Sequence, residues 1–457
     1  MVASKEVSPT ELVNAYLDRI ADLDPQIHAY LTVASDEAMA SSRAAEEAVM
    51  RGDDLGPLHG VPIGVKDLEM TAGIRTTLGS YCYRDRVPDF DSVAVERLKA
   101  AGVVVLGKTN TPEFGMYPST RNKVGEETLN PWDVTRTPGG SSGGSGAALA
   151  AGLCSIALGT DGGGSIRIPA SFNHHFGVKA TQGRIPHWGD AEWGRQAANQ
   201  FTGPGPMTRS VRDAATMLQV MAGFDPRDTG SLREPVPDYL SDLDAGVKGL
   251  RVGFSADLGF ADVDPEVARL AWETAQLLGE MGAHVEEAFL DVGDYVPAFW
   301  TIYPTNVYHT YTDLWEERPD ELSDYVQESM RIGSTATARQ YSEAMAYCAD
   351  LRCRADSLME KFDLLVMPNT AVPAHPIGQP PETIDGKSAH PFWGINPFNI
   401  IWNITGQPAA SVPAGLVDGL PVGSLIVGRR NGDAVVLRTS AAVEKARPWA
   451  DLHPAVS

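Results

Sequence analysis

Two stretches, Gly139–Ser145 (GGSSGGS) and Gly159–Pro169 (GTDGGGSIRIP), decide how this chain is interpreted. Glycine adopts backbone conformations that other residues resist, so serines between glycines can be held in sharp turns. A serine hydroxyl is a poor nucleophile until a base takes its proton, and consecutive backbone amides beside it can stabilise an oxyanion. The two stretches therefore favour a site that presents a nucleophile over a linker, and they predict a hydrolase.

A third element is Lys66, which lies in the apolar segment Val61–Asp67. A lysine acts as a base only where burial lowers its pKa enough to leave the amine neutral. The residues alone leave two interpretations of Ser165 open: a nucleophile activated by such a base, or a structural serine in a glycine-rich turn.

The composition of the 457 residues is typical of a globular protein with a large core, since 43% are apolar and 21% are charged. The formal net charge of −22 argues against nucleic acid as a partner, because an acidic surface repels phosphate groups. The cysteines lack C-x-x-C spacing, which favours reduced thiols over a disulfide framework or a zinc site. They are Cys82, Cys154, Cys348 and Cys353.

The N-terminal segment has no charged start followed by an apolar run, so no export signal is predicted. Ser8–Leu12 instead predicts a helix start, with a hydroxyl cap and a proline at the first helical position. Apolar runs such as Val103–Leu106 and Leu364–Met367 are far shorter than the roughly 20 residues of a membrane span. We therefore expect a cytoplasmic protein without a membrane segment.

Helix-like and strand-like segments alternate along the chain, which is typical of α/β folds. The spacing of apolar residues predicts helices over 9–21, 35–51 and 93–101 and a buried strand over 103–106. Similar alternation recurs over 211–223, 250–254, 264–282 and 362–368. The Pro- and Gly-rich segments 225–248 and 370–396 contain aromatic residues that seek burial, so they predict loops of one large domain rather than linkers.

The segment Gly102–Thr109 matches the phosphate-loop pattern G-x-x-x-x-G-K-[ST] letter by letter. In a phosphate loop the four middle residues are loop positions whose amides wrap the anion. Here they are a run of valines and leucine that favours burial. We therefore predict a buried strand that leaves at Gly107, and no nucleotide site.

Taken together, Gly139–Ser145 and Gly159–Pro169 resemble the signature of the amidase signature family. The resemblance extends in family order across nearly the whole chain and is weakest over about 225–390. The further blocks that carry it are Gly60–Asp67, Gly107–Asn110, Asn130–Asp133, Gly203–Met207, Gly406–Ala409 and Gly419–Gly423.

The resemblance implies an α/β fold in which a large mixed, mostly parallel twisted sheet is covered by helices on both faces. It implies a single domain over 1–457, with a signature core at about 55–215 and a variable substrate-pocket segment at about 225–395. It also implies an enzyme that uses no metal and no other cofactor.

A catalytic Ser-cisSer-Lys triad of Lys66, Ser141 and Ser165 is the central implication of the resemblance. Neutral Lys66 would accept a proton from Ser141, which in turn would deprotonate Ser165 as it attacks the substrate carbonyl. The peptide bond between Gly140 and Ser141 is expected to be cis.

The resemblance also implies an oxyanion hole in the turn that leads to the nucleophile. The backbone amides expected to form it are those of Gly162, Gly163, Gly164 and Ser165. Ser142, Asp161 and Arg167 occupy signature positions as well, and for these we favour structural support of the glycine turns over direct chemistry.

The segment Ser171–Gln182 departs from the family pattern, which has a small apolar Cys-Gly-Val-Val-like stretch followed by Pro-Thr-Tyr. It introduces His174 and His175, whose side chains point in different directions and have no third ligand at useful spacing. A metal or acid–base role is therefore disfavoured, and the sequence assigns the pair no other role. Gly162 also stands where many relatives carry threonine.

Aromatic residues recur at roughly helical spacing in the variable segment, at Trp300, Tyr303, Tyr308, Tyr311 and Trp315. Such a face is more often core than ligand wall, but in this family the variable segment helps to shape the pocket. Trp188, Trp193 and Trp402 add to the aromatic content. We predict Trp300, Tyr303 and Trp402 as pocket residues and a preference for hydrophobic or aryl substrates.

The leading hypothesis is a stand-alone hydrolase of linear amide C–N bonds. Esters and carbamates (urethanes) pass through a similar tetrahedral oxyanion, so esterase and carbamate hydrolase activities are expected beside it. The alternative is a glutamine-hydrolysing amidotransferase subunit that delivers ammonia to a partner. The shared signature blocks fit this alternative, whereas Ser171–Gln182 and the late aromatic residues speak against it.

A substrate-binding protein without activity is disfavoured, because Lys66, Ser141 and Ser165 are all present. The expected partner is a small-molecule amide, ester or carbamate, with neither nucleic acid nor a membrane involved. The sequence does not predict the oligomeric state.

Overall fold

The computed structural model of the chain describes residues 2–188, 201–390 and 393–457. Its strands are β1 (Tyr30–Val33), β2 (Pro62–Lys66), β3 (Val104–Thr109), β4 (Ile156–Asp161), β5 (Phe176–Lys179), β6 (Gly203–Thr208), β7 (Arg251–Phe254), β8 (His284–Glu287), β9 (Leu364–Pro368), β10 (Thr383–Ile384), β11 (Lys387–Ser388), β12 (Ala409–Val417) and β13 (Leu420–Gly428). Its α-helices are α1 (Pro9–Ile27), α2 (Ser35–Arg51), α3 (Val93–Ala100), α4 (Gly143–Ala150), α5 (Arg167–Asn173), α6 (Val211–Met221), α7 (Pro265–Glu280), α8 (Val296–Glu317), α9 (Asp324–Thr335), α10 (Ala338–Met359), α11 (Asn399–Thr405) and α12 (Asp433–Ala446). Within these described segments no helix is both long enough and apolar enough to pass through a lipid bilayer.

The predicted helices and strands are present, with shifts at their ends. Helix α1 begins at Pro9 as predicted, because the hydroxyl of Ser8 accepts from the amide of Glu11 at 3.1 Å and the Glu11 carboxylate accepts from the amide of Ser8 at 2.9 Å. It extends beyond the predicted end to Ile27, whose side chain is fully buried. Helix α2 has the predicted bounds.

Eleven strands of the described segments form one sheet in the order β1-β3-β2-β4-β6-β5-β12-β13-β9-β7-β8. The α/β class and the mixed sheet are confirmed. Parallel pairing is confined to two blocks, β3-β2-β4 and β9-β7-β8, and the other six neighbouring pairs are antiparallel. Antiparallel pairs are thus more numerous than predicted, and one of them is imposed by the tight turn at Asp418–Gly419, where both residues have positive φ.

Helices cover both faces of the sheet, as predicted. Side chains alternate along a strand, so Ile63 and Val65 of β2 pack in one core with helices α3, α6 and α12. The opposite face packs against α1 and α4 at one end of the sheet, and against α8, α10 and α11 at the other. Because Lys66 is one residue beyond Val65, its side chain lies on the face covered by α4.

The phosphate-loop match is a buried strand, as predicted, although β3 continues past Gly107 to Thr109. Lys108 is fully buried, and its ammonium group donates to the carbonyl of Glu69 and to the hydroxyl of Thr71 at 2.8 Å. The lysine that would bind phosphate in a phosphate loop therefore donates its hydrogen bonds to groups of the protein itself.

Candidate active site

The two parallel strands β2 and β4 end side by side, and their last residues are Lys66 and Asp161. The carboxyl ends of neighbouring parallel strands open on one edge of a sheet, where ligand sites are commonly found in α/β folds. Ser141 lies just before α4, and Ser165 lies between β4 and α5. The topology therefore brings both glycine- and serine-rich stretches to the end of β2.

The amine of Lys66 is fully buried and surrounded by hydroxyl groups. Its Nζ lies 2.7 Å from Oγ of Ser141, 2.9 Å from Oγ of Ser142 and 2.9 Å from Oγ1 of Thr160. The Ser142 hydroxyl donates its hydrogen to the carbonyl of Thr160 at 3.2 Å, so towards Lys66 it can only accept. In the ammonium form Lys66 can donate one hydrogen to each of the three oxygens, and in the neutral form it can donate two hydrogens and accept the hydroxyl hydrogen of Ser141.

Burial lowers the pKa of Lys66 from its ordinary value of 10.5 to about 7, against the opposing charges of Asp161 and Glu69. Desolvation penalises the charged form of an amine, and neither carboxylate is among its hydrogen-bond partners. A substantial fraction of Lys66 is therefore neutral near pH 7.

The two predicted serines face one cavity of about 120 Å³. Ser141 is buried and Ser165 is partly exposed. The peptide bond between Gly140 and Ser141 is cis, and the amide of Ser142 donates to the carbonyl of Ser165 at 3.1 Å. This last bond joins the two glycine-rich stretches directly.

Close packing requires glycine in α4, the helix that follows Ser142. A Cβ on Gly144 would lie 2.4 Å from the backbone nitrogen of Asn110 and 2.6 Å from the carbonyl oxygen of Ala29. Part of the first glycine-rich stretch thus belongs to α4 and is helical, whereas a turn was expected. Its small residues let α4 approach the end of β3.

Asp161 and Arg167 form a buried ion pair beneath the second glycine-rich stretch. Two guanidinium nitrogens of Arg167 donate to the two carboxylate oxygens of Asp161 at 2.9 and 2.8 Å, and both side chains are fully buried. Asn403 of α11 bridges the pair: its amide donates to Asp161 at 3.0 Å and its oxygen accepts from Arg167 at 2.6 Å. Burial alone would raise the pKa of Asp161, but the charge and hydrogen bonds of Arg167 hold it well below its usual range.

One predicted member of the oxyanion hole is corrected by this network. The amide of Gly164 donates to the Asp161 carboxylate at 2.8 Å, so it is not available to a substrate oxyanion. Gly164 instead permits the turn, because its φ is 114° and a Cβ there would lie 2.8 Å from Cβ of Asn399. Gly162 and Gly163 line the cavity beside Ser165.

Aromatic side chains form much of the cavity wall, and several come from one face of α8. Trp300, Tyr303 and Tyr311 line the cavity, whereas Tyr308 and Trp315 pack in the adjoining hydrophobic cluster. The remaining aromatic lining residues are Phe114, Tyr117, Phe299 and Trp393. The ring of Phe114 stacks on that of Tyr311 with centroids 3.9 Å apart, and Trp300 meets Trp393 edge to face at 5.5 Å.

Trp402 does not line the cavity, contrary to the prediction. Ile400 of α11 lines the cavity. A residue two positions further along a helix lies roughly 200° around its axis. Trp402 therefore faces the other way and is fully buried in the core. Trp188 packs against Phe90 and the guanidinium of Arg227 instead of the cavity. Trp193 lies outside the described residues.

His174 and His175 lie away from this cavity, at the opposite end of α5. Both are buried, and burial lowers the pKa of each from 6.5 to about 4. Across residues 2–188, 201–390 and 393–457 no three His, Cys, Asp or Glu side chains are grouped so as to hold a metal ion.

Sequence reasoning missed several residues of the site besides the further aromatic residues of the cavity wall. Thr160 contacts Lys66, and Asn403 bridges Asp161 and Arg167. Asn396 donates to the carbonyl of Gly163 at 2.8 Å, and Phe114 lines the cavity. Thr160 lies inside the stretch Gly159–Pro169, and Asn403 lies three residues before the block Gly406–Ala409. Their positions in or next to these blocks could have identified them as site residues. For Phe114 and Asn396 the sequence offers no comparable signal.

The chain was compared with known proteins. The family model described as Amidase matches residues 11–437. The chain is 37% identical to an acylamidase of Rhodococcus erythropolis, over 100% of this chain and 96% of that protein. It is also 37% identical to a glutamyl-tRNA(Gln) amidotransferase subunit of Moorella thermoacetica, over 98% of this chain and 96% of that one. Among solved structures, a bacterial aryl acylamidase of the amidase signature family superposes with a TM-score of 0.92 at 33% identity, covering 98% of this chain and 95% of that one.

Replacing Arg167 by glutamine should strongly destabilise the fold. The variant leaves the buried Asp161 carboxylate without its cation, so we expect the free energy of unfolding to fall by about 3 to 5 kcal/mol. Urea denaturation followed by circular dichroism measures this change.

The matched control is Arg339→Gln, which breaks an exposed ion pair with Glu343 on helix α10. It should cost no more than about 1 kcal/mol. Equal losses in the two variants would contradict the structural importance of the buried pair.

Proposed function

The chain belongs to the amidase signature family, a family of hydrolases, and from this premise we propose that it cleaves amide C–N bonds through an acyl-enzyme, with a preference for uncharged hydrophobic or aryl substrates. The observation that carries the proposal is the buried amine of Lys66, 2.7 Å from the hydroxyl of Ser141 in the wall of an apolar cavity. A neutral amine in that position can act as a base without a histidine.

The first step of the proposed mechanism forms the acyl-enzyme. Lys66 accepts the hydroxyl proton of Ser141, Ser141 accepts that of Ser165, and the oxygen of Ser165 attacks the substrate carbonyl. The carbonyl oxygen becomes an oxyanion, for which we propose the backbone amides of Gly162, Gly163 and Ser165 as donors. Such donors are each worth about 3 kcal/mol in the transition state of comparable enzymes.

The second half of the reaction returns the proton and releases the products. The proton passes back from Lys66 through Ser141 to the leaving nitrogen, the C–N bond breaks and the amine departs. Water then attacks the ester formed on Ser165 by the same relay, so the acid leaves and the free serine is restored. Esters and carbamates form similar intermediates and are further candidate substrates.

The polarity of the cavity supports an uncharged substrate. Among the described residues that line it, none carries an Asp, Glu, Lys or Arg side chain. A charged substrate group would lose its hydration there without gaining an ion-pair partner, which is costly. A neutral aryl or alkyl amide would instead gain contact with the aromatic wall.

The second candidate is a glutamine-hydrolysing subunit that passes ammonia to a partner. Sequence identity does not separate the two candidates, because the chain is 37% identical both to an amidotransferase subunit and to an acylamidase. Glutamine, however, carries an α-ammonium and an α-carboxylate, for which the described cavity wall offers no charged partner. We therefore place the stand-alone amidase first.

The purified chain alone should hydrolyse a chromogenic anilide, such as a 4-nitroanilide. Ser165→Ala should lower kcat/KM by at least about 10³-fold, and Lys66→Ala and Ser141→Ala should be severely impaired as well, because each removes a member of one relay. A fluorophosphonate probe should label the wild type but not the Ser165→Ala variant. The amidase proposal fails if anilide turnover is absent while glutamine releases ammonia only when a partner is added.

Activity should rise with pH around neutrality. Lys66 is active as the neutral amine and burial lowers its pKa to about 7, so proton loss activates the enzyme. We expect kcat/KM to rise about tenfold per pH unit below pH 7 and to level off above about pH 8. Initial rates on one anilide between pH 5.5 and 9 measure this profile.

His187 provides the control for the pH profile, because it is another ionisable side chain in the cavity wall. His187→Gln should leave the midpoint unchanged. A flat profile in the wild type would show that Lys66 is not the titrating base.

Substrate preference should depend on the aromatic face of α8. Trp300→Ala and Tyr303→Ala should each raise KM for an anilide by roughly tenfold and for a short alkyl amide by much less, because loss of an aromatic contact is worth about 1 to 3 kcal/mol. Trp272→Ala, an exposed tryptophan of α7 outside the cavity, is the control. Unaltered constants on both substrates would remove these two residues from the pocket.

A further inference from the structure

Two hydrophobic clusters form the wall of the cavity beside Ser165. One contains Phe299 and Ile400 and continues into the core around α10 and α11. The other contains Leu78 and Phe114 and continues into the packing between α8 and α9. We call the residues that line the cavity from this second cluster alone the Phe114 wall. They are Leu68, Leu78, Phe114, Met116, Val307 and Tyr311.

The Phe114 wall lies beside Ser141, whereas the other cluster lies beside the turn that leads to Ser165. A Cβ on Gly115, the residue after Phe114, would lie 3.3 Å from Oγ of Ser141. A Cβ on Gly163 would instead lie 3.2 Å from Cγ1 of Ile400. The two clusters therefore adjoin different reacting groups of the site.

The backbone holds two side chains of the Phe114 wall in an unfavourable conformation. Leu78 has φ 58° and Phe114 has φ 54°, in the left-handed region that favours glycine. The amide of Phe114 donates to the carbonyl of Leu78 at 2.9 Å, so the two strained residues are joined directly. Bulky residues in this region cost free energy, and such outliers cluster at functional sites. The strain thus indicates that the direction of these two side chains matters to the site.

Buried carboxylates hold the two segments that carry the strained residues. Asp67 accepts from the amide of Thr77 at 3.0 Å, and Glu113 accepts from a backbone amide just before α9 at 2.6 Å. The ring of Phe114 stacks on that of Tyr311, at the point where α8 departs from helical geometry. The Phe114 wall is therefore held in place by contacts with the end of β2 and with both helices.

The position of Ser141 decides which part of a substrate meets this wall. In the proposed mechanism the Ser141 hydroxyl gives its proton to the leaving nitrogen and receives one from Lys66 as the C–N bond breaks. The nitrogen must then lie within hydrogen-bond distance of Oγ of Ser141, about 3 Å. The group attached to that nitrogen is consequently placed against the Phe114 wall, and the acyl group against the cluster that contains Ile400.

We propose that the Phe114 wall is the subsite for the leaving amine, and that it selects secondary amides of apolar amines, above all aryl amines, over primary amides. Its six side chains are uncharged, and a leaving ammonia offers them no apolar surface. An aryl group would bury apolar surface there and meet the aromatic side chains of Phe114 and Tyr311. The inference rests on the proposed function, because the leaving nitrogen of that reaction orients the substrate.

The test compares N-phenylhexanamide with hexanamide, which share the acyl group and differ in the amine, by mass spectrometry of the released hexanoate. Leu78→Gly and Phe114→Gly each remove one wall side chain and suit the left-handed backbone. Each should lower the ratio of kcat/KM for N-phenylhexanamide to that for hexanamide by about tenfold, the scale of a lost apolar contact. The ratio for N-phenylhexanamide to N-phenylacetamide, which differ in the acyl group, should change by less than about twofold.

Leu258→Gly is the matched control. Leu258 is also a buried leucine with a positive φ, of 50°, and it is not among the described residues that line the cavity. Each ratio is measured on one enzyme preparation, so a reduced folded fraction cancels from it. Leu258→Gly should leave both ratios unchanged.

Hydrogen exchange on the Ser165→Ala variant tests the subsite without turnover and without a change in the wall. Because the two hexanoyl amides share the acyl group, protection given by N-phenylhexanamide and not by hexanamide marks the amine side. We expect this protection in residues 76–80 and 113–116.

The proposal is overturned if the additional protection is absent or confined to residues 393–400. It is also overturned if Leu78→Gly and Phe114→Gly shift the acyl ratio instead of the amine ratio, or if Leu258→Gly shifts the amine ratio as much as they do. Wild-type turnover with unshifted ratios would leave the amidase in place and remove the subsite. Protection in the expected residues without any wild-type turnover would support the aryl subsite and contradict the amidase.

Discussion

The desolvated amine of Lys66 is the constraint on which the site depends. An amine can be fully buried at the end of β2 only where every hydrogen and lone pair meets a partner, since an unpaired polar group in the interior costs several kcal/mol. Those partners come from the first glycine-rich stretch, through Ser141 and Ser142, and from β4, through Thr160. The strand ends and the two stretches must therefore keep their relative positions for these hydrogen bonds to form.

A second set of hydrogen bonds, centred on the Asp161 carboxylate, holds these positions. The Asp161 carboxylate accepts from the guanidinium of Arg167, from the amide of Gly164 and from Asn403. Asn403 belongs to α11, which is more than 200 residues away in the chain. The turn that carries Ser165 is thus held in part by α11, from the late part of the chain.

Much of the site could be predicted from the sequence because its local signals are strong. The resemblance to the amidase signature family predicted that Lys66, Ser141 and Ser165 act together, whereas the residues alone left the role of Ser165 open. Clear apolar periodicity predicted most helices to within a few residues. The errors concern long-range geometry. The motif places the amide of Gly164 beside Ser165, but it does not reveal that Asp161 accepts its hydrogen. Trp402 faces the core because of the way α11 is rotated, and strand direction depends on pairings that periodicity does not encode.

The three residues of the proposed relay and the walls of the cavity come from different parts of the fold. Lys66, Ser141 and Ser165 lie on strand ends and the stretches between them, whereas the aromatic wall comes from residues 114–117, from α8 and from Trp393. Substitutions in the wall can therefore leave the positions of Lys66, Ser141 and Ser165 unchanged. The chain is equally similar to two proteins named for different reactions. Sequence identity measured over the whole chain mainly reports the shared framework, because the few side chains of the cavity wall contribute little to it.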